Sequence, residues 1–171
     1  MSTSTSTQYP PNPLADKDHT GKSPSATSHL RLARPSRDLA AAERFYVNGL
    51  GLKVLFRKSP STSIPTSAAK TQGLSPGHGH KEDDLLMLGW PGAAWHLELV
   101  HDDTISPSPT EEDLLVLYVD GPIDPVVIKR LLAAGGTRVT ARNPYWEQWG
   151  VTVADPDGYR VVISQRGWEN K

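Results

Sequence analysis

The stretch AERFYVNGLGLKVL, residues 42–55, joins a predicted helix to a predicted strand. Apolar residues recur at helical spacing through its first half, which predicts a helix with one apolar face. That face carries Leu39, Ala42, Phe45 and Tyr46. Either Ser36 or Asp38 can cap the start of this helix, and Gly49 is expected to end it, because glycine is common at helix ends. A strand at 52–56 follows.

Three further strands surround this helix and strand. Residues 28–34 (SHLRLAR) alternate between apolar and other residues, which predicts a strand before the helix. Two more strands are predicted at 85–89 and 95–100, with Trp90-Pro91-Gly92 as the turn between them. The order of this unit is therefore β-α-β-β-β.

The rest of the chain repeats this order. Residues 114–119 (LLVLYV) predict a strand, and Asp124 followed by Pro125 begins a helix that Gly135 ends. Strands are then predicted at 137–140, 150–154 and 159–165. The sequence Asp155-Pro156-Asp157-Gly158 is typical of a turn and joins the last two strands.

Equal spacing supports an internal repeat. His29 and Gly51 are 22 residues apart, and Leu114 and Gly136 are also 22 residues apart. We therefore expect an α+β fold with two βαβββ modules in one domain, residues 28–171. The first module covers 28–101 and the second covers 113–168.

Composition excludes several classes of function. The chain has 171 residues, a formal net charge of −1 and no cysteine. A near-neutral charge provides no electrostatic attraction to nucleic acid or to an anionic membrane. The lack of cysteine excludes disulfide scaffolds, cysteine zinc sites and thiol nucleophiles. No apolar run approaches the ~20 residues that span a bilayer, and no targeting segment is recognisable, so a cytoplasmic protein is expected.

Two segments have a biased composition. Residues 1–27 are rich in Ser, Thr and Pro, and we expect them to form a disordered tail. Residues 58–81 are rich in Ser, Pro and Gly, and they interrupt the first module. We interpret them as a long surface loop and not as a domain boundary.

The ordered motifs resemble one known superfamily. They are the opening strand with His29, AERFYVNGLGLKVL (42–55), HLEL (96–99) and DPDGYRVVI (155–163). At these intervals they are similar to the vicinal oxygen chelate proteins, which include glyoxalase I, bleomycin-resistance proteins and extradiol dioxygenases. The resemblance implies a curled, cup-shaped mixed sheet with the helices on the outside. It also implies a small-molecule ligand in the cup and a homodimer.

The resemblance further implies where metal ligands belong. In metal-dependent members, each module offers one ligand from its first strand and one from its last. Carried over by position, the first module supplies His29 and Glu98. The second module supplies Leu114 and Val162, which cannot coordinate a metal.

His96 offers a third ligand in the first module. It precedes Glu98 by two residues and so projects from the same strand face. His29, His96 and Glu98 could then hold a divalent Fe, Mn, Ni or Zn ion. The alternative is a polar pocket in which His96 and Glu98 bond to each other or to Arg31.

Other positions suggest an organic ligand. Arg31 and Arg160 could bind a carboxylate or phosphate, but either could instead pair with Glu98 or a surface acid. The remaining candidate pocket residues are Tyr118, Tyr145, Trp146 and Trp149. The last three could form a wall or lid over a flat ligand, fill the cup, or bury a dimer interface.

Two functions follow from these candidates. The first is a metal-assisted lyase, isomerase or oxygenase acting on a small oxygenated molecule, with Glu98 as the general base. The alternative is a metal-free protein that binds an aromatic compound or drug, as resistance proteins of this superfamily do.

Overall fold

The structure is a computed structural model that describes residues 22–58 and 84–171. Most of the predicted tail, residues 1–21, and most of the predicted loop at 58–81 lie outside the described residues. The strands are β1 (Leu30–Pro35), β2 (Lys53–Lys58), β3 (Asp84–Gly89), β4 (Trp95–His101), β5 (Leu114–Tyr118), β6 (Thr137–Arg138), β7 (Gly150–Ala154) and β8 (Arg160–Ser164). The helices are α1 (Leu39–Glu43, continued by a π-helix at Arg44–Leu50), α2 (Pro125–Ala133) and α3 (Pro144–Trp149).

The strands form two mixed sheets of four, in the orders β1-β4-β3-β2 and β5-β8-β7-β6. In each sheet the first strand of the module runs parallel to the last, and the other neighbours are antiparallel. A parallel pair needs a long crossover, which the helix and two inner strands provide. The predicted α+β fold with two βαβββ modules is confirmed.

The first helix begins and ends on identifiable residues. The Asp38 carboxylate accepts a hydrogen bond from the Ala41 backbone N–H at 2.9 Å, so Asp38 is the cap and Ser36 is not. The prediction that Gly49 ends the helix is wrong: the π-helical part runs to Leu50, and Gly51 follows in the left-handed conformation with φ of 93°. Gly49 is instead buried in a helix contact, because a Cβ there would lie 3.1 Å from the Leu131 Cα.

The two modules share one hydrophobic core. Its buried members come from α1 with its π-helical part, from α2 and from strands of both sheets, and include Phe45, Leu131 and Val161. A Cβ placed on Gly136 would lie 2.6 Å from the Phe45 Cε2 and 2.7 Å from the Val153 Cγ1. The Phe45 ring of the first module therefore packs directly on the second module.

The predicted turn at 155–158 also links the modules. The Asp155 carboxylate accepts hydrogen bonds from the backbone N–H groups of Asp157 and Tyr159, each at 2.9 Å. Its other oxygen accepts one from the Tyr46 hydroxyl at 2.7 Å. Burial raises the pKa of the Asp155 carboxyl, with the negative charge of Asp157 acting in the same direction.

This raised pKa predicts a pH-dependent effect of Asp155→Asn. A carboxyl whose pKa is raised by folding contributes stability below its unfolded pKa, and that contribution is lost as pH rises through the folded pKa. The amide has no such loss. Urea titrations between about pH 4 and pH 7 should show wild type losing stability relative to the variant as pH rises. A stability difference that is independent of pH would contradict this assignment.

Two elements of the second module differ from expectation. The aromatic segment before β7 is the short helix α3, since the Asn143 side chain accepts a hydrogen bond from the Tyr145 N–H at 3.0 Å and Pro144 takes the first position. The strand predicted at 137–140 is only β6, although Val139 still donates a backbone hydrogen bond to Thr152. Among the described helices, none is long and apolar enough to cross a membrane.

Candidate functional site

The candidate site lies on the face of β1 and β4 that points away from the shared core. Leu97 and Leu99 of β4 are buried in the shared core. Side chains alternate along a strand, so His96 and Glu98 project from the opposite face. Arg31 of β1 lies beside His96 in the parallel register and shares that face. We refer to this surface as the site face.

The two histidines contact each other. The His29 Nε2 and His96 Nδ1 atoms are 2.7 Å apart, which is a hydrogen bond whose donor depends on the tautomers. The His96 Nε2 atom is buried and has no hydrogen-bond partner among the described residues. The sequence placed both residues at the site, but gave no sign that they pair.

The Glu98 carboxylate is held by Arg31. The Arg31 guanidinium donates to the Glu98 Oε2 at 3.1 Å, and the two side chains are 57% and 9% exposed. Of the alternatives left open by the sequence, the Arg31–Glu98 contact is the one that forms. A guanidinium has five N–H donors, and within the described residues Arg31 uses only this contact. Its remaining donors are open to a ligand.

Strand register shows which positions of the two modules correspond. The paired residues are Arg31 with His96, Ala33 with Glu98, Leu114 with Arg160 and Val116 with Val162. When Glu98 of the first module is aligned with Val162 of the second, Leu114 therefore corresponds to Arg31. The predicted equivalence of His29 with Leu114 is wrong by two positions. One reason is that the predicted spacing was counted to Gly136, whereas the left-handed glycine after α2 is its neighbour Gly135, with φ of 99°.

The donor set at these corresponding positions does not fit a metal. They hold Arg31, Glu98, Leu114 and Val162, of which only Glu98 is a metal ligand by chemistry. Within residues 22–58 and 84–171, no group of three or more His, Asp or Glu side chains is arranged to hold a metal ion. Arg31 contacts only the Oε2 atom of Glu98. The ligand set His29, His96 and Glu98 stays a prediction.

Helix α3 covers the corresponding face of the second module. A Cβ on Gly150 would lie 3.2 Å from the Val162 Cγ1 and 3.3 Å from the Trp146 carbonyl oxygen, so the helix lies on the Val162 side of the sheet. The Ser164 hydroxyl donates to the Trp149 carbonyl at 3.3 Å. Val162 is completely buried. This half of the predicted cup is therefore filled by protein near Val162.

Aromatic rings of α3 and of neighbouring segments form a cluster at the surface, in which all but the half-buried Trp146 are exposed. It contains Tyr118, Tyr145, Trp146 and Trp168, and we refer to it as the aromatic cluster. Tyr118 stacks on Trp168 at 6.0 Å between centroids and meets Trp146 edge-on at 6.2 Å. Trp168 is 73% exposed. Trp168 was not among the predicted pocket residues, although a tryptophan in an otherwise polar C-terminal segment is a signal for such a role.

Arg160 and Trp149 do not join the site face. Arg160 donates to the Glu111 Oε1 at 2.9 Å, so it pairs with a surface acid, one of the two possibilities for this residue. The Arg166 guanidinium lies over the Trp149 ring at 4.8 Å. The predicted pocket residues are thus divided between the site face and the second module.

Apolar side chains border the site face on β2. A Cβ on Gly89 would lie 3.0 Å from the Leu55 Cδ1 and 3.5 Å from the His96 Cβ, which places Leu55 beside the histidine pair. Leu55 and Phe56 are 44% and 50% exposed. The continuous apolar run Val54–Phe56 was the signal in the sequence, because one face of that strand would ordinarily be polar in solvent.

Comparisons with known proteins show the family of the chain. A family model described as the YycE-like C-terminal domain matches residues 112–165. The uncharacterized protein YycE of Bacillus subtilis (strain 168) is 33% identical over 139 residues, or 80% of this chain and 86% of that protein.

Solved structures extend the comparison to the fold. The crystal structure of a YycE protein from Bacillus subtilis matches with a TM-score of 0.64 and 32% identity over 85% of this chain and 95% of that chain. Trypanothione-dependent glyoxalase I of Leishmania major matches with a TM-score of 0.53 and 18% identity over 80% of this chain and 85% of that chain. The fosfomycin resistance protein FosX of Mesorhizobium loti matches with a TM-score of 0.51 and 10% identity, over 81% of this chain and 89% of that chain. The last two show similarity of fold alone.

Proposed function

The chain belongs to the YycE-like branch of the vicinal oxygen chelate superfamily, and on this premise we propose that it binds a small organic molecule without a catalytic metal. The Arg31–Glu98 ion pair carries the proposal. It joins Arg31 to Glu98, which the resemblance makes a metal ligand in metal-dependent members. Leu114 and Val162 occupy the corresponding positions of the second module.

The chemistry of the site face favours an aromatic ligand with an acidic group. The open donors of Arg31 match a carboxylate or phosphate, which arginine binds in bidentate fashion. Leu55 and Phe56 provide apolar surface beside it. A few convergent polar groups bordered by apolar side chains are typical of small-molecule sites.

A second copy of the chain would complete the binding cup. The shared core joins the helix-facing sides of both sheets, so the site face and the Val162 face both point away from it. On the first module Leu30 and Phe56 are 66% and 50% exposed, and the aromatic cluster is exposed on the second. Exposed apolar surface on both modules is consistent with a symmetric homodimer in which the aromatic cluster of one copy faces the site face of the other.

The second candidate function is a metal-assisted lyase, isomerase or oxygenase. The observation that favours it is the histidine pair, whose facing nitrogens are 2.7 Å apart, together with the unpartnered and buried Nε2 of His96. His29, His96 and Glu98 would hold a divalent Fe, Mn, Ni or Zn ion, which polarises a substrate oxygen when bound. Glu98 would serve as the general base once released from Arg31.

Metal analysis and ligand titration separate these functions. Protein expressed with Mn, Fe, Ni and Zn supplied should contain less than one metal ion per chain, and His29→Ala and Glu98→Ala should not change that content. Benzoate, followed by calorimetric titration, should bind about tenfold more weakly to Arg31→Ala, because a charge-assisted contact is lost. Sedimentation of the same samples reports whether the protein is a dimer.

The matched control is Arg142→Ala. Arg142 is exposed, belongs to the second module and lies 3.9 Å from Glu112. Its removal changes the net charge by the same amount as the removal of Arg31. Benzoate binding should be unchanged in this variant. Stoichiometric metal that is lost in both His29→Ala and Glu98→Ala would reject the metal-free proposal and support the enzyme.

A further inference from the structure

A cavity lies between the first helix and α2, outside the site face. Its volume is about 490 Å³, within the range of small-molecule sites. One wall carries Arg44 and Asn48, and the other carries Arg130. Small residues of the two helices, with Gly135 and Pro156, complete the lining. We refer to this cavity as the helix groove, and it shares no residue with the site face.

Both guanidinium groups of the helix groove lack a partner within residues 22–58 and 84–171. Within the described residues, neither Arg44 nor Arg130 makes an ion pair or a side-chain hydrogen bond, whereas Arg37, Arg57 and Arg160 each contact a carboxylate. Arginine side chains that share a concave surface repel each other unless an anion is bound between them. The positive charge of the helix groove therefore favours an anionic ligand.

The two acids that flank Pro156 of the helix groove are already engaged. Pro156 lines the groove, and its neighbours Asp155 and Asp157 are both 5% exposed. Asp155 accepts from Tyr46, and Asp157 accepts from the Arg37 backbone N–H at 2.9 Å. Neither carboxylate is free to neutralise Arg44 or Arg130.

The C-terminus of α2 does not bind the Arg130 guanidinium either. Basic side chains near a helix C-terminus can bond its last carbonyl groups. Here three of those carbonyls already accept backbone hydrogen bonds: Arg130 O from Ala134, Leu132 O from Gly135 and Leu131 O from Gly136. The guanidinium of Arg130 is therefore left for another acceptor.

We propose that the helix groove binds a small phosphate monoester with an apolar body. Two guanidinium groups from opposite walls balance the two negative charges of a phosphate monoester, and each can donate two parallel hydrogen bonds to its oxygens. The Asn48 amide adds a donor and an acceptor. The small residues of the lining leave room for the apolar part of the ligand.

Ligand binding at the helix groove also has a consequence for the whole chain. Arg44 belongs to the first module and Arg130 to the second, so one ligand contacts both. A ligand that binds only the native state stabilises it. The melting temperature should therefore rise with ligand concentration.

Phenyl phosphate is the probe that tests this site. Calorimetric titration at fixed ionic strength should show saturable binding to the wild type, about tenfold weaker in each of Arg44→Ala and Arg130→Ala. Both residues are exposed, so the variants should fold with unchanged melting temperatures. Phosphate-induced NMR shifts should map to residues 41–48 and 130–135.

Two control variants distinguish binding in the helix groove from binding elsewhere on the protein. Arg142→Ala removes the same charge at another exposed position and should not weaken phenyl phosphate binding. Arg31→Ala removes any binding of this aromatic phosphate at the site face, and it should leave the NMR shifts of residues 41–48 and 130–135 unchanged. Absence of saturable binding to the wild type would overturn the proposal. Equal weakening in Arg142→Ala, or weakening only in Arg31→Ala, would overturn it too, without bearing on whether the site face binds benzoate.

Discussion

Phe45→Ala is expected to lower the free energy of unfolding by about 3–5 kcal/mol, the usual effect of removing a fully buried aromatic ring. The Phe45 side chain is completely buried, and its ring meets that of Tyr46 edge-on with 5.0 Å between centroids. It also reaches the second module at Gly136 and Val153. The cavity left by alanine would therefore open at the contact between the modules.

The chain contains a natural control for this substitution. It has two phenylalanines, and the other, Phe56, is 50% exposed on β2. Phe56→Ala should change the stability by about 0.5 kcal/mol or less, as is usual for surface positions. Urea unfolding monitored by circular dichroism measures both variants. Similar losses in the two would show that Phe45 does not carry the contact between modules.

Gly136→Ala is the second large effect, expected to destabilise the fold by about 1–3 kcal/mol through overpacking. The added Cβ would lie 2.6 Å from the Phe45 Cε2 and 2.8 Å from the Leu131 carbonyl oxygen. Both distances are shorter than van der Waals contact. The backbone of Leu131 cannot move without displacing α2, so the strain is not relieved by a side-chain rotation alone.

Gly121→Ala is the matched control for Gly136→Ala. No atom lies within 4 Å of a Cβ at Gly121, and its φ is not in the left-handed range. That variant should have wild-type stability. Combining Gly136→Ala with Phe45→Leu should destabilise less than the sum of the two single substitutions, because the shorter side chain makes room for the methyl group. Additive losses would mean that the contact with Phe45 is not the source of strain.

Local features of the sequence predicted most of the fold. Asp38 and Asp124 cap the two long helices through hydrogen bonds to nearby backbone N–H groups, and the turn at 155–158 closes on the Asp155 carboxylate. These interactions depend on residues within a few positions of each other. Strand alternation is equally local, and it correctly separated His96 and Glu98 from the leucines of β4.

The arrangement of the site depended on register between distant strands. The number of residues between His29 and a helix-end glycine carries no information on the register of β1 against β4. The paired strand positions show that Arg31 corresponds to Leu114. For the same reason the sequence left open whether Arg31 or His96 contacts Glu98. Contacts between residues 67 positions apart in the chain, such as Arg31 with Glu98, are fixed by tertiary packing and not by local pattern.

Helix α3 begins with a local sequence pattern that predicts a helix start. Asn143 followed by Pro144 is a typical start of a helix, and the structure uses both residues in this way. The prediction for the three nearby aromatic residues concerned a ligand or interface role and not a helix. Recognising the cap would have placed the tryptophans on a helix that covers the second sheet.

The π-helical turn in the first helix makes the length of the chain there adjustable. A π-helix contains one residue more per hydrogen-bonded turn than an α-helix. Its buried positions are Phe45, Tyr46, Gly49 and Leu50. These four positions are spaced i, i+1, i+4 and i+5, so they share one face of the helix, whereas Asn48 is exposed. Deleting Asn48 would therefore remove the one residue by which a π-helical turn exceeds an α-helical turn, without removing a buried side chain.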